Sequence, residues 1–272
     1  MNAPVPPPVA SVPVLLREDH DGVAVLTLNR PEARNALSEA MLAALGGALV
    51  DIQGERSLKA VVLAANGPAF SAGHDLKELT ARRTDGDAGR AYFRQVMEGC
   101  AAVMQMIVRL PQPVIAAVEG VATAAGCQLV ASCDLAVASR AAKFATPGVN
   151  IGLFCSTPMV PLSRNIGRKH AMEMLLTGDM IDAEEARRMG LVNRVVEPGR
   201  ARDEALALAR KIAAKSGAVL KLGKEAFYRQ LELPLAEAYA YAGEVMVENM
   251  MAEDASEGIA AFVEKRAPQW RS

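Results

Sequence analysis

Aromatic residues are scarce in this 272-residue chain: they make up 4% of it, with a single tryptophan, against 51% hydrophobic residues in all. The core must therefore be built from Ala, Val, Leu and Met rather than from stacked rings. A chain of this length buries a large core and suits one large domain with an appendage. Cysteine is sparse as well, and the four residues at 100, 127, 133 and 155 form no CxxC pair and no metal-ligand spacing. They read as reduced thiols packed as small apolar groups, which places the chain in the cytoplasm. An excess of charge is missing, with 30 basic and 31 acidic residues and a formal net charge of -1. No long basic run stands out, so nucleic acid is not an expected partner. No apolar stretch reaches about eighteen residues free of charges and turn signals, so no membrane span is expected. The first thirteen residues, MNAPVPPPVASVP, hold five prolines and no charge. They lack the basic start and apolar run of a signal peptide and the arginines of a transit peptide. A disordered leader over residues 1–14 is the expectation.

What is present is an alternation of apolar runs and turn signals. Val23 to Asn29 is strand-like and ends at Arg30-Pro31. Ser38 caps a helical run from Glu39 to Ile52, with Met41, Leu42, Leu45 and Leu49 at helical spacing. Lys59 to Ala65 is a second strand, closed by Asn66-Gly67-Pro68. Residues 80–90 are polar and read as a mobile surface segment, and Tyr92 to Val108 as a long amphipathic helix. Val114 to Val118 is a buried strand, followed by the small residues Ala122 to Gly126 and a helical pattern through Cys133. Lys143 to Ala145 is a short strand, Ile151 to Pro161 an irregular segment, and Leu191 to Val196 a last strand. From 201 onward only helices are expected, over 202–215, 218–231, 235–252 and 256–265. The pattern predicts an α/β core over 15–200 and a separate helical subdomain over 201–272.

Two small-residue turns, Ser71-Ala72-Gly73-His74 and Thr123-Ala124-Ala125-Gly126, each come just after an apolar strand. If those strands are neighbours, two backbone N–H groups point at one oxygen atom. That is an oxyanion hole, suited to a carbonyl that becomes an enolate, and each such donor is worth roughly 2.7–4 kcal/mol in the transition state. The alternative is close packing of a helix on a sheet, which selects the same small residues.

Several motifs decide between these readings: Asn29-Arg30-Pro31 with Asn35-Ala36-Leu37, FSAGHDLKEL at 70–79, PVIAAVEG…AAGCQLVASCD, KFATPGVNIGL, LLTGDMIDAEEARRMGLVNRVV and GIAAFVEKR. Together, from about residue 22 to residue 266, they resemble the crotonase superfamily of enoyl-CoA hydratases and isomerases. The resemblance implies a crotonase-type spiral of ββα units with a C-terminal helical oligomerisation region that builds homotrimers or dimers of trimers. It implies an acyl-CoA ligand, with coenzyme A arriving as part of the substrate and no permanently bound cofactor or metal. It places the oxyanion donors on the backbone N–H groups of His74 and Ala125. The coenzyme A contacts map to Arg34, Lys77, Phe262 and Lys265, the last two reaching a neighbouring subunit. The acyl pocket maps to segment 80–90 and the helix from Tyr92 to Val108.

The chain departs from the hydratase pattern at both acids. The glutamate that follows the small-residue turn is Gln128, and the one in the QPE-like loop is Gly148. Gln128 orients a water but neither accepts nor gives a proton near neutral pH, and Gly148 has no side chain. General acid–base catalysis contributes about 10²–10⁴-fold, so efficient hydration is not expected. Candidates for proton transfer near the site are His74, Cys127, Cys155, Ser156 and Glu119. Asp75 is expected to anchor its turn. The open readings are a nominal hydratase or isomerase, an acyl-CoA decarboxylase or thioesterase, and a non-catalytic acyl-CoA-binding protein.

Overall fold

The computed structural model describes residues 12–271. It begins with a hairpin in which β1 (Leu15–His20) and β2 (Val23–Leu28) pair antiparallel. The turn residues Asp21 and Gly22 have φ of +52° and +76°, the pair of left-handed positions a two-residue hairpin loop requires. Ser38 then accepts the N–H of Met41 at 3.3 Å and caps α1 (Glu39–Gly54). That helix buries Met41, Leu42, Leu45, Leu49 and Ile52 along one side.

From there the chain winds through three similar turns. The first is β3 (Ala60–Ala65), β4 (Ala69–Ser71), α2 (Leu76–Ala81) and α3 (Arg90–Arg109). The second is β5 (Val114–Val118), β6 (Val121–Thr123) and α4 (Ala125–Ser132). The third is β7 (Leu135–Ser139) and β8 (Lys143–Ala145), followed by α5 (Met159–Asn165) and α6 (Arg168–Thr177). Next come β9 (Ile181–Asp182), α7 (Ala183–Met189) and β10 (Arg194–Val196). The chain closes with α8 (Ala201–Ala213), α9 (Gly217–Gln230), α10 (Leu235–Met251) and α11 (Glu253–Val263). Each turn gives its long strand to a six-stranded sheet, ordered β1-β2-β3-β5-β7-β10, and its short strand to a four-stranded sheet, ordered β4-β6-β8-β9. This is the expected spiral of ββα units.

The central strands are parallel and buried on both faces, so they read as nearly continuous apolar runs. Alternate residues sort them into two cores. Leu26, Leu63, Ala116 and Ala138 face the larger core with α1, α3 and α4. Val25, Val62, Ile115 and Val137 face a smaller one, closed by Ala201, Ala205 and Ala209 of α8. Those alanines recur every fourth residue, so the middle of the α8 face presents methyl groups to the sheet, with Leu208 and Ile212 packed beside them. A division at residue 200 therefore does not follow the packing: α8 covers the second face of the sheet, and the helices that stand off it start at α9.

The leader departs from expectation at its end. Residues 1–11 lie outside the described residues, but Pro13 and Val14 are tied to Asn29, whose Nδ2 and backbone N–H donate to their carbonyl oxygens at 2.9 and 2.7 Å. Segment 151–161 is also less irregular than expected, since α5 starts at Met159. α9 is anchored to the core by a buried cluster. Lys224 Nζ donates to Asp134 Oδ2 at 2.6 Å and to the carbonyls of Ile107 and Gln112, while the Tyr228 hydroxyl donates to Asp134 Oδ1 at 2.9 Å.

Candidate active site

The two small-residue turns leave neighbouring strands of the small sheet. β4 pairs with β6 in parallel, with Ser71 opposite Ala122, so the turns that follow sit side by side. The strands concerned are the three-residue β4 and β6, not the longer β3 and β5, because the small residues at 121–123 extend before they turn. Gly73 has φ of +93°, and a Cβ there would lie 2.9 Å from the Ala124 Cβ and 3.2 Å from the Ala125 nitrogen. Only glycine brings the turns this close. Ala124 itself has φ of +50°, an uncommon conformation for a residue with a side chain.

Three other amides of these turns are already committed. Ala72 N–H donates to the Arg34 carbonyl at 3.0 Å, Gly73 N–H to Ser71 Oγ at 3.3 Å, and Ala124 N–H to the Ala145 carbonyl at 3.0 Å. Ala125 is the first residue of α4, whose initial amides lack intrahelical acceptors. Among the described residues, the N–H groups of His74 and Ala125 have no protein acceptor. Both residues line one cavity of about 1030 Å³, at the large end of the range for small-molecule sites.

Asn35 holds the cavity's rim, with φ of +52° and no solvent exposure. Its Oδ1 accepts the Arg30 N–H at 2.8 Å, and its Nδ2 donates to the carbonyls of Asn66 and Ala69 at 2.8 Å each. Ser71 Oγ donates to the Asn35 carbonyl at 2.9 Å. This polar fastening of β4 was not assigned from the sequence, although an Asn beside Ala-Leu just before a helix cap is a signal for it. Asp75 caps α2 by accepting the Lys77 N–H at 3.1 Å, and it faces Arg30 at 3.4 Å. It anchors the turn, as expected.

Known proteins share this sequence and fold. The Enoyl-CoA hydratase/isomerase family model matches residues 18–272. The chain belongs to that family. It is 50% identical over 250 residues, 92% of this chain and 82% of the relative, to the rat protein named enoyl-CoA hydratase domain-containing protein 3, mitochondrial. It is 38% identical, over 96% of this chain and 99% of the relative, to a probable enoyl-CoA hydratase of Rhizobium meliloti. Among solved structures, an enoyl-CoA hydratase of Mycobacterium smegmatis shares 55% identity with a TM-score of 0.90, covering 96% of this chain and all (100%) of that one. Human enoyl-CoA hydratase domain-containing protein 3 shares 48% identity with a TM-score of 0.90, covering 94% and 100%.

Within this family's spiral, the residues singled out from the sequence go to different places. His74, Ala125, Arg34, Lys77 and Gly148 all line the cavity. Gln128 does not: it is 3% exposed inside α4, and its Oε1 has no hydrogen-bond partner. Phe262 is 85% exposed at the end of α11, and neither it nor Lys265 lines the cavity of its own chain. Segment 80–90 contributes no wall either. Arg82 and Arg83 instead stack on Tyr92 and Phe93, 5.0 and 5.6 Å from the ring centroids, and α3 reaches the cavity through Met97. The far wall comes from Ile151 to Pro158.

Several proton-transfer candidates are excluded by position. Glu119 accepts the N–H groups of Gly199 and Ala201 at 2.9 and 2.6 Å and so serves the start of α8. Cys127 is buried in α4 off the cavity wall, where burial pushes its thiol up to about 12. Ser156 is on the wall, with its hydroxyl donating to the Phe154 carbonyl at 3.2 Å. Both ring nitrogens of His74 are closed to solvent, and burial lowers its pKa, opposed in part by the Leu37 backbone. Among the described residues no cluster of side chains could hold a metal ion, and no helix is long and apolar enough to cross a membrane.

Proposed function

We propose that this chain binds acyl-CoA thioesters and stabilises a thioester enolate with the backbone N–H groups of His74 and Ala125, while hydrating enoyl-CoA poorly. The observation that carries this reading is that both donor turns open into one cavity, while the two positions of the family's glutamates are Gly148 on its wall and Gln128 buried in α4 off the wall. An enolate oxygen gains from two fixed donors that need no reorganisation, about 2.7–4 kcal/mol apiece. The water activation of a hydratase needs carboxyl groups that these positions do not supply. Arg34 and Lys77 at the cavity wall meet the phosphates of coenzyme A, which comes and goes with the substrate. Phe262 and Lys265 act from a neighbouring subunit of a homotrimer or dimer of trimers. The four free, buried cysteines suit a reducing compartment such as the cytoplasm.

Decarboxylation of a malonyl-type thioester fits this site better than hydration or thioester hydrolysis. It forms the enolate by losing carbon dioxide, so it needs the oxygen stabilised and no proton removed first. The test pairs calorimetric titration of crotonyl-CoA, butyryl-CoA and malonyl-CoA with product analysis. Binding is expected, with crotonyl-CoA hydration well below the usual enzymatic range of about 1–10³ per second. Hydration inside that range overturns the assignment. Binding with no product from any thioester makes the chain a non-catalytic acyl-CoA-binding protein.

A further inference from the structure

The cavity wall holds a buried thiol that neither the oxyanion turns nor the coenzyme A contacts use. Cys155 lies on the wall although only 7% of it is exposed, beneath the exposed segment Ile151 to Phe154. Its position relative to Gly148 is specific: a Cβ built on Gly148 would lie 2.9 Å from Cys155 Sγ and 2.6 Å from the Leu153 carbonyl oxygen. Leu153 N–H also donates back to the Gly148 carbonyl at 2.9 Å, which fixes the chain in that fold. The space that a side chain at position 148 would enter is thus occupied, and the sulfur fills part of it.

The other ionisable side chains on the wall have other duties. Asp75 caps α2 and faces Arg30 at 3.4 Å. Glu32 is 73% exposed and lies 4.0 Å from Arg30. The His74 ring nitrogens are enclosed, and Arg30, Arg34 and Lys77 are cationic donors with no acceptor site. Thr146, in the same turn as Gly148, is fully buried with a hydroxyl that has no protein partner.

We propose that Cys155 exchanges the proton at the thioester α-carbon, taking the place that the absent side chain at position 148 would hold. The inference rests on the acyl-CoA reading above. In the forward step the S–H bond breaks and a C–H bond forms at the α-carbon with the electron pair of the enolate. The sulfur keeps the S–H pair as thiolate and recovers a proton from water. The reverse step is the thiolate removing an α-proton from a bound saturated thioester. Burial keeps this thiol protonated at rest, which suits a group whose first task is to donate.

The α-hydrogens of butyryl-CoA in deuterium oxide, followed by mass spectrometry, test it. Calorimetric titration of butyryl-CoA into the same proteins runs alongside. The wild-type protein should bind and exchange. Cys155→Ser, which keeps the volume but carries a far weaker acid, and Cys155→Ala should bind within about threefold yet lose exchange by about 10²-fold or more. Exchange by the variants at the wild-type rate overturns the role of Cys155 and leaves the acyl-CoA reading standing. Binding by the wild type without exchange above the free thioester does the same. Failure of the wild type to bind overturns both. Loss of binding in both variants assigns the thiol a packing role and overturns the proposal.

Discussion

A methyl group on Gly126 would overlap the carbonyl oxygen of Ser71 and lie 2.7 Å from its carbonyl carbon. Ser71 ends β4 and Gly126 is the second residue of α4, so this bare contact joins the two turns that carry the backbone donors. A side chain here meets main chain, which cannot rotate away. Gly126→Ala should therefore cost about 3 kcal/mol or more, at the upper end of overpacking penalties. Urea unfolding measures that loss. Acyl-CoA titration of the surviving folded fraction should show weakened binding, because the turns must separate to admit the methyl group. A variant with wild-type stability and affinity contradicts this role for the contact.

The His74 imidazole links the same turn to pH. Burial is the largest influence on it and lowers its pKa from the ordinary value of about 6.5. The folded protein therefore prefers the neutral ring, and the unfolded chain takes up the proton first. Stability from this residue is intact above about pH 6.5 and declines as pH falls below it. Between about pH 7.5 and about pH 5.5 the urea midpoint of the wild type should drop more than that of His74→Ala, which keeps the backbone donor. Equal drops in the two proteins remove the ring from the account.

Much of this arrangement is legible in the sequence, and the exceptions have physical causes. Ser38 reads as a cap because a hydroxyl before a periodic apolar run has few other uses, and it caps α1. The terminal helices follow from their periodicity, within a few residues. β4 and β6 are three residues long, too short for any alternation, so their small residues read as turn. The Asp21-Gly22 hairpin was readable from its dipeptide alone and was not expected. Glu119 illustrates what lies beyond local pattern: it sits among site motifs, yet its partners are Gly199 and Ala201, 80 and 82 residues onward. The alanine spacing of α8 announces close packing but not which surface receives it.

The remaining prediction concerns the surface of α10 and α11. Leu235, Tyr239, Met246 and Met250 fall at helical spacing and are 76%, 75%, 59% and 56% exposed. Together they make an apolar stripe along α10 that buries nothing in its own chain. Contiguous apolar surface on this scale marks a contact with another protein surface, and Phe262 and Val263, 85% and 74% exposed, lie at the end of α11. Sedimentation equilibrium should give three or six copies of the chain. The double variant Tyr239→Glu with Met246→Glu places charges in the stripe and should yield smaller species. Phe262 and Lys265 are outside the cavity of their own chain, so a coenzyme A contact through them requires a neighbour. The dissociated variant should then bind butyryl-CoA at least about tenfold more weakly, which is about 1.4 kcal/mol. A dissociated protein with unchanged affinity would show that each cavity is complete within one chain.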